Sequence, residues 1–446
     1  MISASFRRYL HLVATLFFTS QASLVQAKEA PQITEAVSAE TRDFSSSLAQ
    51  ALASDDYRAA LALLETRPDI SASADGIRLK AALLARVGRN DEAMALLESW
   101  MAANGGDALA RFQVGEIHFA AGRLAPARLS YRLALSGALD PVRKQITQAR
   151  LAEIESARNS RVSVTVSVAP DSNLNSATSA GTIDLFGLPF TLSEDARRQS
   201  GVTASMAVGV ERRWPVSEAL SIQAGGSFTF LDAPNRTFDQ HQLNLSIGPE
   251  LRSGIRRALS ATVTYRETGL NRAAYESSHG VRVSGTNYLD AQTGLAATVF
   301  VDRIDNRRDD GLDGWSYGGQ LSRTRYLGPN ALWRASLATA SYDLAGADAD
   351  YDLTQLAVGR LTGLAFGVSA YVEPYVRRRV FERSSTVFGV RRDDREVGLS
   401  LRLSKRNLIF QGAFPYVQVV ASKSWSNVPL GDYSRQRFEL GLTRDF

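Results

Sequence analysis

The chain has 446 residues, a formal net charge of +5, 44% hydrophobic residues and no cysteine. So small a charge gives no support for nucleic-acid binding, and we predict no nucleic-acid partner. The lack of cysteine excludes a disulfide framework and a lipid-modified N-terminal cysteine, so stability has to come from packing and backbone hydrogen bonds. The length suits a helical domain joined to one large β-barrel.

The first residues have the pattern of a secretory signal peptide. Arg7 and Arg8 precede an apolar stretch over residues 10–18, and small residues after that stretch predict a cleavage site. The apolar stretch is shorter than the roughly 20 residues that a membrane-spanning helix needs. We therefore predict a signal peptide over residues 1–27 and a linker over residues 28–43.

Residues 44–158 are rich in alanine, leucine, arginine and glutamate, and their apolar residues recur at helical spacing. Three sets of residues also recur at intervals of 34, namely Ser54, Gly88 and Gly122; Ala59, Ala93 and Ala127; and Leu63, Leu97 and Tyr131. This period is that of the tetratricopeptide repeat, a helix–turn–helix unit. We predict a tetratricopeptide-repeat domain over residues 44–158, and the alternative is a stack of helical hairpins whose spacings coincide by chance.

The repeats resemble a family with a concave inner face, and this resemblance assigns five residues to that face: Arg78, Arg86, Phe112, Glu116 and Phe119. A groove that mixes aromatic and charged side chains suits a peptide or protein partner better than a sugar chain. We therefore treat these residues as candidates for binding a protein cargo. The alternative for each of them is ordinary packing between helices or a solvated surface position.

At Arg161 the period of the sequence changes from helical to two, because valines at 162, 164, 166 and 168 alternate with polar residues. Similar alternation recurs to the end of the chain and gives about fourteen strands, at ~9–11 residues per membrane crossing. The predicted fold is multidomain α + β. Helical repeats are followed by a transmembrane antiparallel β-barrel over residues 159–446, located in the outer membrane.

The predicted connections between strands differ in length at the two ends of the barrel. With the helical domain in the periplasm, long connections such as 170–200 and 301–314 fall outside the cell, and tight ones such as 214–218 fall inside. Two predicted inside connections, 248–257 and 404–412, are long for this pattern. The pattern of long outer and short inner connections supports the count of about fourteen strands.

The last strand has the signature of a barrel insertion signal, in which apolar residues alternate along one face: Phe438, Leu440, Leu442 and Phe446. Arg444 interrupts this face close to the membrane rim, where an arginine side chain can reach lipid headgroups at little cost. We predict that the strand contacts outer-membrane lipids and the barrel-assembly machinery.

The sequence contains no recognisable motif for catalysis or metal binding. The four histidines are scattered, and the acidic loop at 305–314 carries arginines where a calcium site needs ligands. The stretch 367–371 lacks the last glycine of a hydrolase nucleophile elbow. We predict no enzyme activity, no cofactor and no metal.

Arginines cluster between Arg377 and Arg395, on both sides of a predicted outer loop. The favoured interpretation is contact with the phosphates of surface glycolipid, and the alternative is that the arginines line the lumen or touch a substrate.

Two segments, Ala169–Asn175 and Trp425–Arg435 followed by the last strand, resemble the surface lipoprotein assembly modifier family. The order of parts is also similar to that family: signal, repeats, then barrel. The resemblance implies export of a protein cargo, either a lipoprotein or a secreted carrier protein that acquires haem or metal, received by the repeats in the periplasm. It implies no catalytic residues. The family-like loop motif is Asp171, Asn173 and Asn175, whose short polar side chains also suit turn capping.

Two other functions remain open from the sequence. A polysaccharide-export porin can also join helical repeats to a barrel. A structural or adhesive outer-membrane protein would use its long outer loops to bind a host or matrix, and its repeats would be dispensable.

Overall fold

The computed structural model describes residues 39–157, 160–185, 188–364, 368–405 and 413–445. Within them, eight α-helices precede the strands: α1 (Ala39–Ala53), α2 (Tyr57–Glu65), α3 (Pro68–Ser71), α4 (Ala74–Arg86), α5 (Asn90–Ala103), α6 (Ala108–Ala120), α7 (Leu124–Leu135) and α8 (Pro141–Ala157). In the part of the chain that is described, no helix is both long enough and apolar enough to span a bilayer. The predicted signal peptide and most of the predicted linker lie outside the described residues.

The helices form hairpins that repeat along the chain. Helix α6 begins 34 residues after α4, and α7 begins 34 residues after α5. The turns inside successive hairpins contain Gly88 at φ 84° and Gly122 at φ 70°, a left-handed conformation that costs glycine little. The first hairpin has Asp55 at this position, at φ 55°.

The first copy of the repeat starts one residue later than the sequence spacing predicted. Asp55, not Ser54, lies at the turn with positive φ. Ala60 and Leu64 are the fully buried residues of α2, and they replace the predicted Ala59 and Leu63. In the next two copies the predicted residues are fully buried: Ala93, Leu97, Ala127 and Tyr131. The prediction was wrong in the first copy because the distance from this turn to the next is 33 residues, not 34.

Sixteen strands follow in the described residues: β1 (Ser160–Asp171), β2 (Thr182–Leu185), β3 (Leu188–Thr191), β4 (Gly201–Pro215), β5 (Leu220–Asp232), β6 (Gln240–Ser253), β7 (Arg257–Leu270), β8 (Ala273–Tyr288), β9 (Thr293–Asn306), β10 (Gly314–Tyr326), β11 (Ala331–Leu344), β12 (Tyr351–Gly363), β13 (Val368–Ser384), β14 (Arg391–Lys405), β15 (Phe414–Ser426) and β16 (Tyr433–Asp445). Fourteen of them form a closed antiparallel barrel in which β1 pairs with β16, while β2 and β3 form a separate hairpin. The prediction of helical repeats followed by a fourteen-stranded barrel is confirmed.

Alternation along each strand separates an apolar outer wall from a polar lumen. Val168 and Leu440 leave about half of their surface exposed, at 51% and 57%. Such exposure would be unfavourable in water but is what a lipid-facing wall requires. On the lumen side, the hydroxyls of Thr165 and Thr443 lie 2.9 Å apart across the closure between β1 and β16. The barrel strands have 12 to 17 residues, more than the ~9–11 that the membrane alone requires.

Short connections join the strands at one end of the barrel. They include residues 216–219, 254–256, 289–292 and 327–330, whereas the connection from β1 to β4 at the opposite end covers residues 172–200. At that opposite end only the β7–β8 connection, at residues 271–272, is comparably short. The predicted asymmetry of connection lengths is therefore present.

The predicted long connection at 248–257 is wrong, because β6 continues to Ser253 and only three residues turn. Gly248 and Pro249 suggested a turn, yet both pair with β5. A Cβ on Gly248 would lie 1.9 Å from the Ala261 carbonyl oxygen, so this glycine permits a close approach of β7. Most of the other predicted long connection, at 406–412, lies outside the described residues.

Candidate functional site

Helix α7 lies across the mouth of the barrel at the end with the short connections. On one side of the helix, Ala125, Pro126 and Leu129 line a cavity of ≈ 390 Å³ with lumen residues of β12 to β16. On the other side, Arg128 and Arg132 line a cavity of ≈ 210 Å³ with residues of β6 to β8. The helix therefore divides the entrance to the lumen into two openings.

The sequence of α7 places apolar residues on two faces, and both faces are covered. One face carries Ala127 and Tyr131, which pack within the helical domain. The other carries Leu133, which joins a buried cluster with Tyr326 and Leu332 at the barrel rim. Helix α7 stays in the mouth because one apolar face is buried against the helical domain and the other against the barrel.

Hydrogen bonds between the helices and the barrel rim fix the orientation of the helical domain. Arg111 of α6 donates from Nε to the Pro329 carbonyl at 2.5 Å and from Nη2 to Oδ1 of Asn330 at 2.7 Å. Asn330 in turn donates to the Met101 carbonyl at 3.4 Å. Farther along the rim, Gln292 donates to the Ser136 carbonyl at 3.2 Å. These contacts fix the helices to the β8–β9 and β10–β11 connections.

Three of the five predicted groove residues come together around Tyr131. The rings of Phe112 and Phe119 have centroids 6.2 Å and 6.4 Å from the Tyr131 ring, and the Tyr131 hydroxyl donates to Glu116 at 2.5 Å. Burial, and then the hydrogen bond to Glu116, raise the pKa of Tyr131 well above its usual range. The guanidinium of Arg150 lies 4.5 Å from the Phe119 ring centroid. These side chains hold α6, α7 and α8 together.

The two predicted arginines lie elsewhere. Arg78 pairs with Asp107 at 2.6 Å, and Asp107 also accepts hydrogen bonds from Trp100 Nε1 at 2.8 Å and from the Ala110 amide at 2.9 Å, which caps α6. Burial acts to raise the pKa of Asp107, but the Ala110, Trp100 and Arg78 hydrogen bonds together lower it below its usual value. The Arg86 guanidinium lies 5.6 Å from the Tyr57 ring centroid. The five residues therefore do not form one open groove.

The loop motif of Asp171, Asn173 and Asn175 is a structural clasp. Both carboxylate oxygens of Asp171 accept from Arg435, the shortest distance being 2.6 Å from Nη2. Asn173 donates to the Ala177 carbonyl at 2.8 Å and to the Ser434 carbonyl at 3.0 Å. Asn175 shapes the same loop by donating to two backbone carbonyls and accepting from the Gln199 amide. The motif thus joins the two segments on which the sequence resemblance depended.

The arginine cluster divides between the two faces of the wall. Arg377 points towards the lumen, where it donates to Gln355 at 2.9 Å and pairs with Glu396 at 3.5 Å. Arg378 and Arg395 are exposed on the outer face and both pair with Asp393. The interpretation of a surface cluster therefore fits the outward arginines, whereas Arg377 has the lumen position that was the alternative.

The lumen wall from β12 to β16 is stiffened by tyrosines that lie over glycines. The Tyr375 hydroxyl donates to Glu396 at 2.6 Å, and a Cβ on Gly398 would lie 2.3 Å from this tyrosine. Tyr416 covers Gly441 and donates to Glu439 at 2.5 Å in the same way. The opposite wall carries glycines and serines between charged side chains such as Arg161 and Arg282, and it holds a cavity of ≈ 380 Å³. The lumen therefore has a cavity against each of these two walls.

Within the described residues, no group of three or more histidine or acidic side chains could hold a metal ion. The acidic loop is instead closed by its own hydrogen bonds. Oδ1 of Asp313 accepts from the Asn306 amide at 2.6 Å, and Oδ1 of Asn306 accepts from the Arg308 amide at 3.0 Å.

The docking residues Arg111, Arg132 and Leu133 were not identified from the sequence. Helix α7 has a second apolar face that packing between the repeats leaves unused. This face, which carries Leu133, could have indicated that the helix packs against another part of the chain. Phe446, the last residue of the predicted insertion signal, lies outside the described residues. Phe438 and Leu440 are exposed on the outer wall, as that signal requires.

Comparison with known proteins gives one family. The sequence profile of the surface lipoprotein assembly modifier family matches residues 161–446. No curated protein matches the chain.

Among solved structures, the chain is similar to the outer membrane channel DcaP of Acinetobacter baumannii, with 9% identity, 65% of this chain and 96% of that chain covered, and a TM-score of 0.39. It is also similar to a Pseudomonas aeruginosa FadL homologue, with 11% identity, 67% and 92% covered, and a TM-score of 0.36. A third is Acinetobacter baumannii OccAB4, with 10% identity, 65% and 98% covered, and a TM-score of 0.33.

Proposed function

We propose a function in protein export because the chain belongs to the surface lipoprotein assembly modifier family. The protein is an outer-membrane barrel involved in surface lipoprotein assembly. In the proposed mechanism, the helical repeats receive a lipoprotein, or a secreted protein that acquires haem or metal, and deliver it to the cell surface through or along the barrel.

The observation that carries this proposal is the position of α7 across the barrel mouth. Outer-membrane barrels have short periplasmic connections and longer surface loops. The helices contact the end with the short connections, which supports a periplasmic helical domain. A cargo that is captured by these helices would be held directly at the entrance to the lumen.

The contact between α7 and the barrel rim is small. It depends on a few hydrogen bonds and on the small apolar cluster around Leu133, Tyr326 and Leu332. Each hydrogen bond contributes about 1 kcal/mol net, and the burial of one leucine contributes about 2 kcal/mol. A bound cargo could therefore displace the helix by making contacts of similar size. In this mechanism, α7 acts as a gate that opens on the cargo.

The proposal is tested by separating the repeats from the barrel. We expect deletion of residues 44–156 to leave a barrel that still shifts on heating in a detergent gel, but to abolish protease-accessible display of a co-expressed lipoprotein. Normal display in this variant would contradict the proposal. Loss of surface carbohydrate with unchanged lipoprotein display would favour polysaccharide export instead.

A cross-link tests the gate directly, because the chain has no native cysteine to interfere. Cysteines introduced as Arg132→Cys and Ile255→Cys replace two residues in direct contact, since Arg132 donates to the Ile255 carbonyl at 2.9 Å. A short bis-maleimide should join α7 to the rim in the double variant and block export. The same double variant without the reagent is the matched control, because it carries both substitutions and should export more than the cross-linked protein. Undiminished export through the cross-linked protein would show that α7 need not move.

A further inference from the structure

The smaller cavity beside α7 has the composition of an anion site. It has a volume of ≈ 210 Å³ and lies between the helix and the rim of β6, β7 and β8. We infer that it binds an oxyanion, namely a phosphate or carboxylate group, and that the bound anion ties the helical domain to the barrel. This inference concerns a separate binding site, so its failure would leave the proposed export function unaffected.

The lining of the cavity is strongly basic. Five arginines line it: Arg128, Arg132, Arg252, Arg256 and Arg257. Glu250 is the one carboxylate in this lining, and it already forms an ion pair with Arg213 at 2.8 Å and accepts a hydrogen bond from Arg252 at 3.0 Å. The excess positive charge is therefore not neutralised by the side chains that line the cavity.

Arg132 is the residue that points most directly to a ligand. Its residue surface is only 6% exposed, and its Nε atom has no hydrogen-bond partner among the described residues. Nη2 donates to the Ile255 carbonyl at 2.9 Å, and the guanidinium carbon lies 3.8 Å from the Tyr288 ring centroid. These two neutral partners contact part of the Arg132 guanidinium. Among the described residues, no carboxylate lies within ion-pair distance of it. A buried charge without a counterion is unfavourable, so an anion in the cavity would stabilise the fold.

The remaining lining suits an oxyanion rather than an apolar ligand. Ser260, Ser284 and Thr286 present hydroxyl-bearing side chains on the barrel wall, and Arg256 and Arg257 are exposed at the rim. Guanidinium groups bind phosphate and carboxylate oxygens through directed, charge-assisted hydrogen bonds. The volume accommodates one such group together with ordered water.

The position of the site gives the anion a role in docking. Arg132 belongs to α7, whereas Arg256 and Arg257 belong to the barrel, at the β6–β7 connection and the start of β7. One oxyanion between them would screen the repulsion among these arginines and add contacts to both parts. We therefore expect anion binding to favour the docked position of α7.

The test is calorimetric titration of the full chain in detergent with inorganic phosphate. We expect saturable binding that weakens by about ten- to a hundredfold in Arg132→Gln, the loss expected for one charged hydrogen-bonding group. Arg143→Gln is the matched control, because Arg143 is exposed on α8 and pairs only with Asp140 in the described residues. Hydrogen exchange in α7 should fall when phosphate is added to the native chain and to this control.

A second arm identifies the source of the anion. A short peptide rich in glutamate replaces phosphate in the same titration, with a peptide of equal length rich in glutamine as its control. Arg132-dependent binding of phosphate supports the site with a free anion as ligand. Arg132-dependent binding of the acidic peptide alone supports the site with a carboxylate carried on a polypeptide. Binding of neither ligand, or equal binding by Arg132→Gln, overturns the inference.

The folding of the variants is checked by their shift on heating in a detergent gel. If Arg132→Gln does not fold, the double variant Arg256→Gln, Arg257→Gln decides the question, because both of its side chains are exposed. Unchanged affinity in a folded double variant would then overturn the inference.

Discussion

The contact between Asp171 and Arg435 closes the barrel where its first and last strands meet, and it can be tested by removing the carboxylate. The Asp171 side chain is 0% exposed, and the Arg435 side chain is 30% exposed. Breaking a fully buried ion pair costs about 3–5 kcal/mol because one charge is left without a partner. Water can reach part of Arg435, so we expect Asp171→Ala to lower the free energy of unfolding by about 2 kcal/mol.

The assay is urea unfolding of the refolded barrel, followed by tryptophan fluorescence and by the folded band in a detergent gel. A double-mutant cycle with Arg435→Ala isolates the pair, and we expect a coupling free energy of about 1–2 kcal/mol. A coupling that is indistinguishable from zero would refute the reasoning, because the clasp would then contribute no more than its separate residues.

Asp393 and Arg378 provide a matched control on the outer wall. They form a two-point contact at 3.0 Å and 2.7 Å, but their side chains are 23% and 55% exposed. Exposed pairs contribute little because solvent screens them, so the same cycle should give less than about 1 kcal/mol. The comparison separates burial from hydrogen-bond geometry as the source of stability.

Two further changes test the lumen wall and the helical domain. Gly398→Ala should lower barrel stability in urea by about 1–3 kcal/mol, because its Cβ would displace Tyr375, whereas Gly181→Ala should have little effect because its Cβ meets nothing within 4 Å. The lowered pKa of Asp107 stabilises the fold above the unfolded-state pKa of about 3.9, and this contribution is lost as the pH falls through the folded-state value. Asp107→Asn should therefore reduce the acid sensitivity of helical circular dichroism, and an unchanged acid midpoint would contradict the assigned role of the pair with Arg78.

The barrel was predictable because the side chains of a strand alternate between its two faces, so that apolar and polar residues alternate in the sequence. The valines of β1 are a local signal that needs no knowledge of the neighbouring strand. Strand ends were less predictable: Gly248 and Pro249 are typical turn residues, yet they continue β6 because β5 still pairs with them. Whether such residues end a strand depends on the partner strands, which a single sequence does not contain.

The candidate site was less predictable for a similar reason. The sequence of α6 correctly placed Phe112, Glu116 and Phe119 on one face, but it could not show that Tyr131 occupies the space between them. Likewise, Leu133 is visible as an apolar residue, while its partner Tyr326 lies almost 200 positions later in the chain. The sequence thus did not show that this face is used for packing within the chain, and its role in binding cargo stays a prediction.

The two walls of the lumen differ in how firmly their side chains are held. On the β12–β16 side, Tyr375 and Tyr416 are fixed over glycines by bonds to glutamates, and moving them would expose polar groups that are now paired. On the opposite side, the cavity of ≈ 380 Å³ is lined partly by small residues such as Gly209 and Gly225. The arginine-rich cavity beside α7 opens at the foot of this second wall, since it shares Ser260 and Ser284 with the next cavity along the lumen. Displacement of α7 from the β6–β7 connection would therefore open this cavity towards the lumen, on the side that carries Gly209 and Gly225.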